Sequence, residues 1–367
     1  MHVLVTGGCG FIGSYLVDAL IERGHDVVVF DRDQPSLHQN NKATYLQGDI
    51  RENLDELMEK RFEVVFHYAA EVGSGLSMAE PLKFVHANSY GTANLLEAIR
   101  REGSVKKVII ASSSTVMGEA TCRCPEHGVV YPGLRQISQL ERAEWELKCP
   151  VCDQEVKAVA MDEDRPLRPT TIYGMSKKDQ EEMCLLLGRA WDLPVVAFRF
   201  FAVYGPRQSL RNPYTGVLAL FATRLFAGYP INHYEDGGQL KDYIYIEDIV
   251  RANMLALETN GGDGQVFNLG TGIPHTIRQV AEKLRALIDP DLDINCTGQY
   301  RPGDARHGWA DTDSARRSLG WEPSVSFDDG LKELVSWLRV LPKDVIDDAV
   351  ENFQAAERYA ESLGMAL

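Results

Sequence analysis

Short apolar runs recur through the first half of the chain, at Val3–Val5, Val27–Phe30, Val64–Phe66 and Val108–Ala111. Their length and β-branched content predict strands buried on both faces, as in a parallel sheet. Between them the apolar positions shift to helical spacing over Ile12–Arg23, Arg51–Lys60 and Leu82–Arg101, and Gly24 closes the first of these as a C-terminal cap. Alternation of this kind predicts an α/β fold of Rossmann type, a doubly wound parallel sheet with right-handed crossovers.

The pattern fails from Glu119 to Arg168, where periodicity is weak, prolines are frequent and cysteines cluster. This stretch is expected to be an insertion (119–168) with no hydrophobic run of its own. Regular spacing returns with a helix over Tyr173–Trp191 and a strand over Val195–Phe201. Residues 1–204 are thus expected to form the first domain. Residues 205–340 should form mainly a smaller C-terminal substrate-binding lobe, with part of 243–270 returning to the first domain. The last stretch, 341–367, has the pattern of an acidic amphipathic helical tail.

Composition narrows the function. Hydrophobic residues are 44% and charged residues 25%, as in an ordinary globular protein. The apolar pattern starts at Val3, so no signal peptide is expected, and no stretch is long enough to span a bilayer. A net charge of -15 would repel nucleic acid and anionic membranes, so an anionic small substrate needs a local basic pocket. Seven cysteines in 367 residues are no disulfide framework. Four of them crowd into the insertion, which points to a metal in a reducing cytoplasm.

Three groups of residues carry chemistry. Gly7, Gly10, Phe11, Ile12 and Gly13 form a loop between the first strand and the first helix. Glycines there permit a tight turn and close approach of a pyrophosphate to the free N–H groups of a helix start. Asp31 ends the second strand, where a carboxylate accepts hydrogen bonds from an adenosine ribose and repels a 2′-phosphate, favouring NAD; Arg32 beside it leaves NADP open. Asp49, in the Gly48-Asp49-Ile50 turn, reads either as a partner of the adenine amino group or as a helix N-cap.

Tyr173 and Lys177 stand at i and i+4 on one helix face. A phenol titrates near ~10 in water, and a neighbouring ammonium favours its ionised form. Ser112-Ser113-Ser114 ends the fourth predicted strand, where a hydroxyl would bind the oxygen that Tyr173 deprotonates.

The third group is a pair of short repeats, Cys124-Pro125-Glu126-His127-Gly128 and Cys149-Pro150-Val151-Cys152-Asp153. Cys124, His127, Cys149 and Cys152 have the spacing of a structural zinc site. Cys122 either replaces His127 or stays free; unpaired thiols and a redox C-x-x-C pair are the other readings.

Taken together, the glycine loop, Ala111–Gly118, the Tyr173/Lys177 pair and Arg199–Arg207 resemble extended short-chain dehydrogenases of the NAD-dependent epimerase/dehydratase family. The likeness runs from about Met1 to Leu338 apart from the insertion. It implies Ser113, Tyr173 and Lys177 as catalytic residues. It also implies Ile50, Tyr68, Ala69, Ala70, Asn88 and Ser112 near the cofactor. Asn212–Val217, Gly238–Tyr243 and Arg301–Asp304 resemble the family's nucleotide-diphosphate pocket. That implies substrate contacts at Ser114, Phe201, Asn212, Gly216, Val217 and Lys241, with Arg301 on the diphosphate and Asp304 towards the ribose. Ala202 stands where many members have Asn, and Lys241 where Arg is usual. The resemblance implies a homodimeric NAD-dependent nucleotide-sugar 4-epimerase acting on dTDP-L-rhamnose or a UDP-hexose. Neither Ser114 nor Thr115 is the carboxylate that dehydratases of the family carry. A nucleotide-sugar reductase or dehydratase, and a non-catalytic binding protein on the same fold, are the rival readings.

Overall fold

In a computed structural model the described residues are 1–35, 38–210 and 216–362. Strands β1 (His2–Thr6), β2 (Asp26–Asp31), β3 (Thr44–Gln47), β4 (Val64–His67) and β5 (Lys107–Ser113) join Val195–Phe200 and Gln265–Leu269 in one seven-stranded sheet. All its pairings are parallel. From one edge the order is Gln265–Leu269, Val195–Phe200, β5, β4, β1, β2, β3. The interior strand β1 buries Val3, Leu4 and Val5 completely, as its unbroken apolar run requires. Alternate residues feed two cores: Val3 and Val5 face the one that includes helix α1 (Phe11–Glu22), and Leu4 faces the other.

The chain leaves β1 towards β2 and β3 and then returns to β4 on the opposite side. That reversal opens a crevice beyond the carboxyl ends of β1 and β4, the place where open α/β sheets bind ligands.

Two expected helices come out differently. Arg51–Lys60 is helical only over Asp55–Met58. The Asn94 side-chain amide donates to the carbonyl oxygens of Ile50 and Glu52, and Asn53 accepts from the Asp55 N–H, so the preceding turn is held out of the helix. Leu82–Arg101 is divided into Pro81–Phe84, a π-helical segment Val85–Tyr90, and Gly91–Glu102. The wider turn brings Asn88 fully inside the protein.

The insertion also departs from expectation. Thr121–Cys124 pairs antiparallel with Gly128–Val130 on one side and Lys157–Val159 on the other. Ala120, Cys122, Cys124, Val130, Leu147, Cys149 and Val156 form a small core of their own. No apolar run announces this core because its members are scattered and several are thiols.

In the C-terminal half, Leu240–Tyr245 lies between Ala202–Tyr204 and Pro274–Thr276 in a three-stranded sheet. Ile246–Glu258 packs on α1, and Gln265–Leu269 joins the main sheet. The helix Lys343–Ser362 seats Ile346, Ala349 and Phe353 in the main core. Among the described residues, no helix is long and apolar enough to cross a membrane.

Candidate functional site

A cleft of about 970 Å³ runs along the carboxyl edge of the sheet. At one end, the N-terminus of α1 meets the loop containing Gly7, Gly10, Phe11, Ile12 and Gly13. Gly7 has φ +74°, and a Cβ there would lie 2.5 Å from the Ala69 nitrogen. A Cβ on Gly13 would lie 2.3 Å from the Gly7 oxygen. Both positions therefore require glycine, and the turn presents backbone rather than side chains to the cleft.

Asp31 lies beyond this loop and accepts N–H bonds from Cys9 at 2.9 Å and from Asp33 at 3.0 Å. Burial raises its carboxyl above the usual value, and those two N–H groups oppose the rise. Arg32, Asp49, Ile50, Tyr68, Ala69 and Ala70 line the same end. Asp49 caps no helix: it accepts from the Arg51 backbone N–H at 2.9 Å and from Arg51 Nε at 2.8 Å. Asn88 lies behind the wall, where it accepts from the Glu71 N–H at 2.8 Å and donates to Ser176 Oγ at 2.9 Å.

At the middle of the cleft β5 ends and the helix Ile172–Trp191 begins, and here Ser112, Ser113, Tyr173 and Lys177 line the wall together. Thr171 starts that helix as an N-cap, its side chain accepting from the Gly174 N–H. Burial raises the Tyr173 phenol above its ordinary value, and its hydrogen bond with Ser113 draws it back part of the way. Burial lowers Lys177 to about 8, against the pull of nearby Cys184 and Glu181. The ammonium donates to Gln180 Oε1. Gln180 Nε2 in turn lies 2.9 Å from His67 Nε2, and His67 Nδ1 lies 2.8 Å from Thr6 Oγ1. Burial, and then the Lys177 charge, hold His67 neutral, with its value lowered to about 3. Gln180 and Glu181 were not singled out in the sequence, although both follow Lys177 at helical spacing.

Phe201, Gly216, Val217 and Lys241 line the far end. Lys241 is partly buried there and donates to the Ala305 oxygen at 2.7 Å. Ser114 starts a 3₁₀ turn and, like Arg301 and Asp304, does not line the cleft among the described residues. Arg301 lies over the Tyr234 ring at 5.0 Å and 4.0 Å from the Asp304 carboxylate. Asn212 falls outside the described residues.

Residues 3–132 match the NAD dependent epimerase/dehydratase family, and residues 155–334 match the GDP-mannose 4,6 dehydratase family. The dTDP-L-rhamnose 4-epimerase of Burkholderia thailandensis is 33% identical, the alignment covering 92% of this chain and 94% of that protein. The chain belongs to the NAD-dependent epimerase/dehydratase family. Among solved members, the UDP-glucose 4-epimerase of Thermotoga maritima with UDP-glucose is 32% identical with a TM-score of 0.75, covering 92% of this chain and 99% of that one. The UDP-glucose 4-epimerase of Thermus thermophilus in complex with NAD is 28% identical with a TM-score of 0.76, covering 93% of this chain and 100% of that one.

The two family matches leave residues 133–154 between them, within the insertion. Cys124 and His127, before this stretch, converge with Cys149 and Cys152 inside it, their donor atoms all within 4.8 Å of one another. Cys124 Sγ lies 3.8 Å from Cys152 Sγ and 3.5 Å from His127 Nδ1, and Cys149 Sγ lies 3.7 Å from the same nitrogen. Cys122 is turned into the small core instead and does not take the place of His127.

Proposed function

We propose that this family member is an NAD-dependent nucleotide-sugar 4-epimerase, with dTDP-L-rhamnose or a UDP-hexose as substrate. The observation that carries the reading is the continuity of one cleft. Ser113, Tyr173 and Lys177 stand on its wall between the glycine turn with Asp31 and the Gly216–Lys241 end. A dinucleotide fits the first end: a backbone cradle that any Cβ would fill, a helix N-terminus for the pyrophosphate, and an oriented carboxylate for the ribose diol. Bound there, NAD would supply hydride transfer at the sugar C4 and the positive charge of an oxidised nicotinamide ring. The solved NAD complex of a relative supports this choice of cofactor.

The chain's own residues supply the rest. The Ser113 hydroxyl holds the sugar O4, and Tyr173 takes the O4 proton as C4 is oxidised. When C4 is reduced from its other face, Tyr173 gives the proton back. A phenol raised by burial ionises only with cationic help, each pKa unit being worth about 1.4 kcal/mol. Lys177, with a value near 8, is mostly an ammonium at neutral pH and supplies that help one helical turn away. Elimination lacks its acid–base partner. Ser114 and Thr115 follow Ser113, and Glu119, the next acid along the chain, accepts the N–H groups of Ala120, Arg306 and His307. Lys241, on the cleft wall, provides a contact for the nucleotide diphosphate. A preparation that carries NAD through purification and forms C4 epimers from dTDP- or UDP-sugars without added cofactor meets this reading. Turnover that consumes NADPH contradicts it.

The Cys/His cluster is proposed as a structural zinc site. Zn–S bonds of ~2.3 Å in a tetrahedron separate two sulfurs by about 3.8 Å, which matches Cys124 and Cys152. The four ligands leave no position for water, so the metal would tie the insertion together and take no part in the sugar chemistry. Exposed apolar side chains on adjoining helical segments, Leu82, Val85 and Tyr90 with Leu186, support a homodimer.

A further inference from the structure

We propose that Glu71 is a specificity-determining residue that reserves the adenosine end of the cleft for NAD by immobilising Arg32. The inference rests on the reading of that end as a dinucleotide site and goes beyond the part played by Asp31. Arg32 follows Asp31 directly, where a guanidinium is well placed to receive a 2′-phosphate. Its Nη1 instead donates to Glu71 Oε1 at 2.7 Å. The other Glu71 oxygen lies 3.6 Å from Lys83, which Glu80 shares at the same distance.

The lock is anchored from behind. The Glu71 N–H donates to Asn88 Oδ1 at 2.8 Å, and Asn88 Nδ2 donates to the Glu71 backbone carbonyl oxygen at 3.0 Å. Asn88 is fully buried and also donates to Ser176 in the Tyr173 helix, so the position of Glu71 is set by the protein interior. The Glu71 side chain is 14% exposed, whereas that of Arg32 is 51% exposed. The carboxylate is therefore the held partner, and the arginine comes to it. Arg51, another guanidinium on the cleft wall, is bound by Asp49 through both its backbone N–H and its Nε. A 2′-phosphate thus meets the Asp31 carboxylate, while the Arg32 and Arg51 guanidinium groups are already paired.

The test is a competition on the purified protein. The holoprotein is equilibrated with equal concentrations of NAD⁺ and NADP⁺, and the nucleotide it retains is released and quantified. Wild type retains NAD. Glu71→Gln keeps the shape and removes the charge, freeing Arg32, and shifts the retained ratio towards NADP by about tenfold, the worth of one hydrogen bond to a charged group. Glu71→Gln/Arg32→Ala returns the ratio to the wild-type value, which a merely structural role for Glu71 does not predict. An unchanged ratio in Glu71→Gln, or a gain that survives removal of Arg32, overturns the proposal while leaving the NAD reading intact. Wild type that retains NADP overturns both.

Discussion

Ser112 donates its hydroxyl proton to the Glu181 carboxylate at 2.5 Å, while its neighbour Ser113 meets the Tyr173 phenol. Adjacent residues on a strand face opposite ways, so only one of the two serines can serve the cleft with its hydroxyl. The other ties β5 to the Tyr173 helix through Glu181, whose carboxylate also receives Arg199 at 2.6 Å. Both members of that ion pair are buried.

That pair has a stability consequence. Glu181→Ala strands the Arg199 charge inside the protein, and removing one partner of a buried pair typically costs ~3–5 kcal/mol. Urea unfolding of this variant should show a loss of that size, against about 1 kcal/mol for Ser112→Ala. Equal losses in the two variants would mean that the ion pair carries no special weight.

Tyr173→Phe retains the ring and removes the ionisable oxygen. Turnover should fall by ~10²–10⁴-fold, as expected for loss of a general base, with NAD still bound after purification. Near-normal turnover in this variant would move the proton transfer to another group.

His67 gives a pH signature. Its folded value of about 3 lies below the ordinary ~6.5 of an unfolded chain. Between those limits the unfolded state binds the extra proton. The stability tied to neutral His67 is therefore complete above pH ~6.5 and is lost as pH falls towards ~3. The difference in unfolding free energy between wild type and His67→Asn should shrink by about 1 kcal/mol per pH unit in that window. Parallel curves would show that His67 is protonated in the folded protein.

Much of this architecture was legible from pattern alone, and the exceptions have physical causes. Four of the sheet strands are short, fully apolar runs, and Val3–Val5 could hardly be placed anywhere but the middle of a sheet. Thr44–Gln47 escaped notice because it is an edge strand with two exposed and two partly buried residues. Gln265–Leu269, inside the 243–270 stretch expected to return to the first domain, carries no strand signal of its own because Gln265 and Asn268 break its apolar run. The π-helical turn that buries Asn88 has no hydrophobic signature at all. Nor does Glu71, which gains its meaning only when the fold brings it to Arg32, thirty-nine residues earlier in the chain.

For the metal, Cys149→Ser removes one of four ligands. Elemental analysis should find about one zinc per wild-type chain and little in the variant. The variant's insertion should become sensitive to protease while part of the Tyr173 chemistry survives, since the sheet and the cleft have their own cores. Unchelated wild-type protein without metal would leave these residues as ordinary thiols and an imidazole.

The most direct test of the central claim follows the hydrogen on C4. Nucleotide sugar carrying deuterium at C4 is incubated with the enzyme in ordinary water, and the recovered epimer is analysed by NMR and mass spectrometry. Oxidation and return of the hydride within one cleft, with Tyr173 moving only the O4 proton, predict a product that keeps its deuterium at C4 with no net accumulation of reduced cofactor. Loss of the deuterium to solvent, or a 4-keto product formed together with reduced cofactor, would contradict the account.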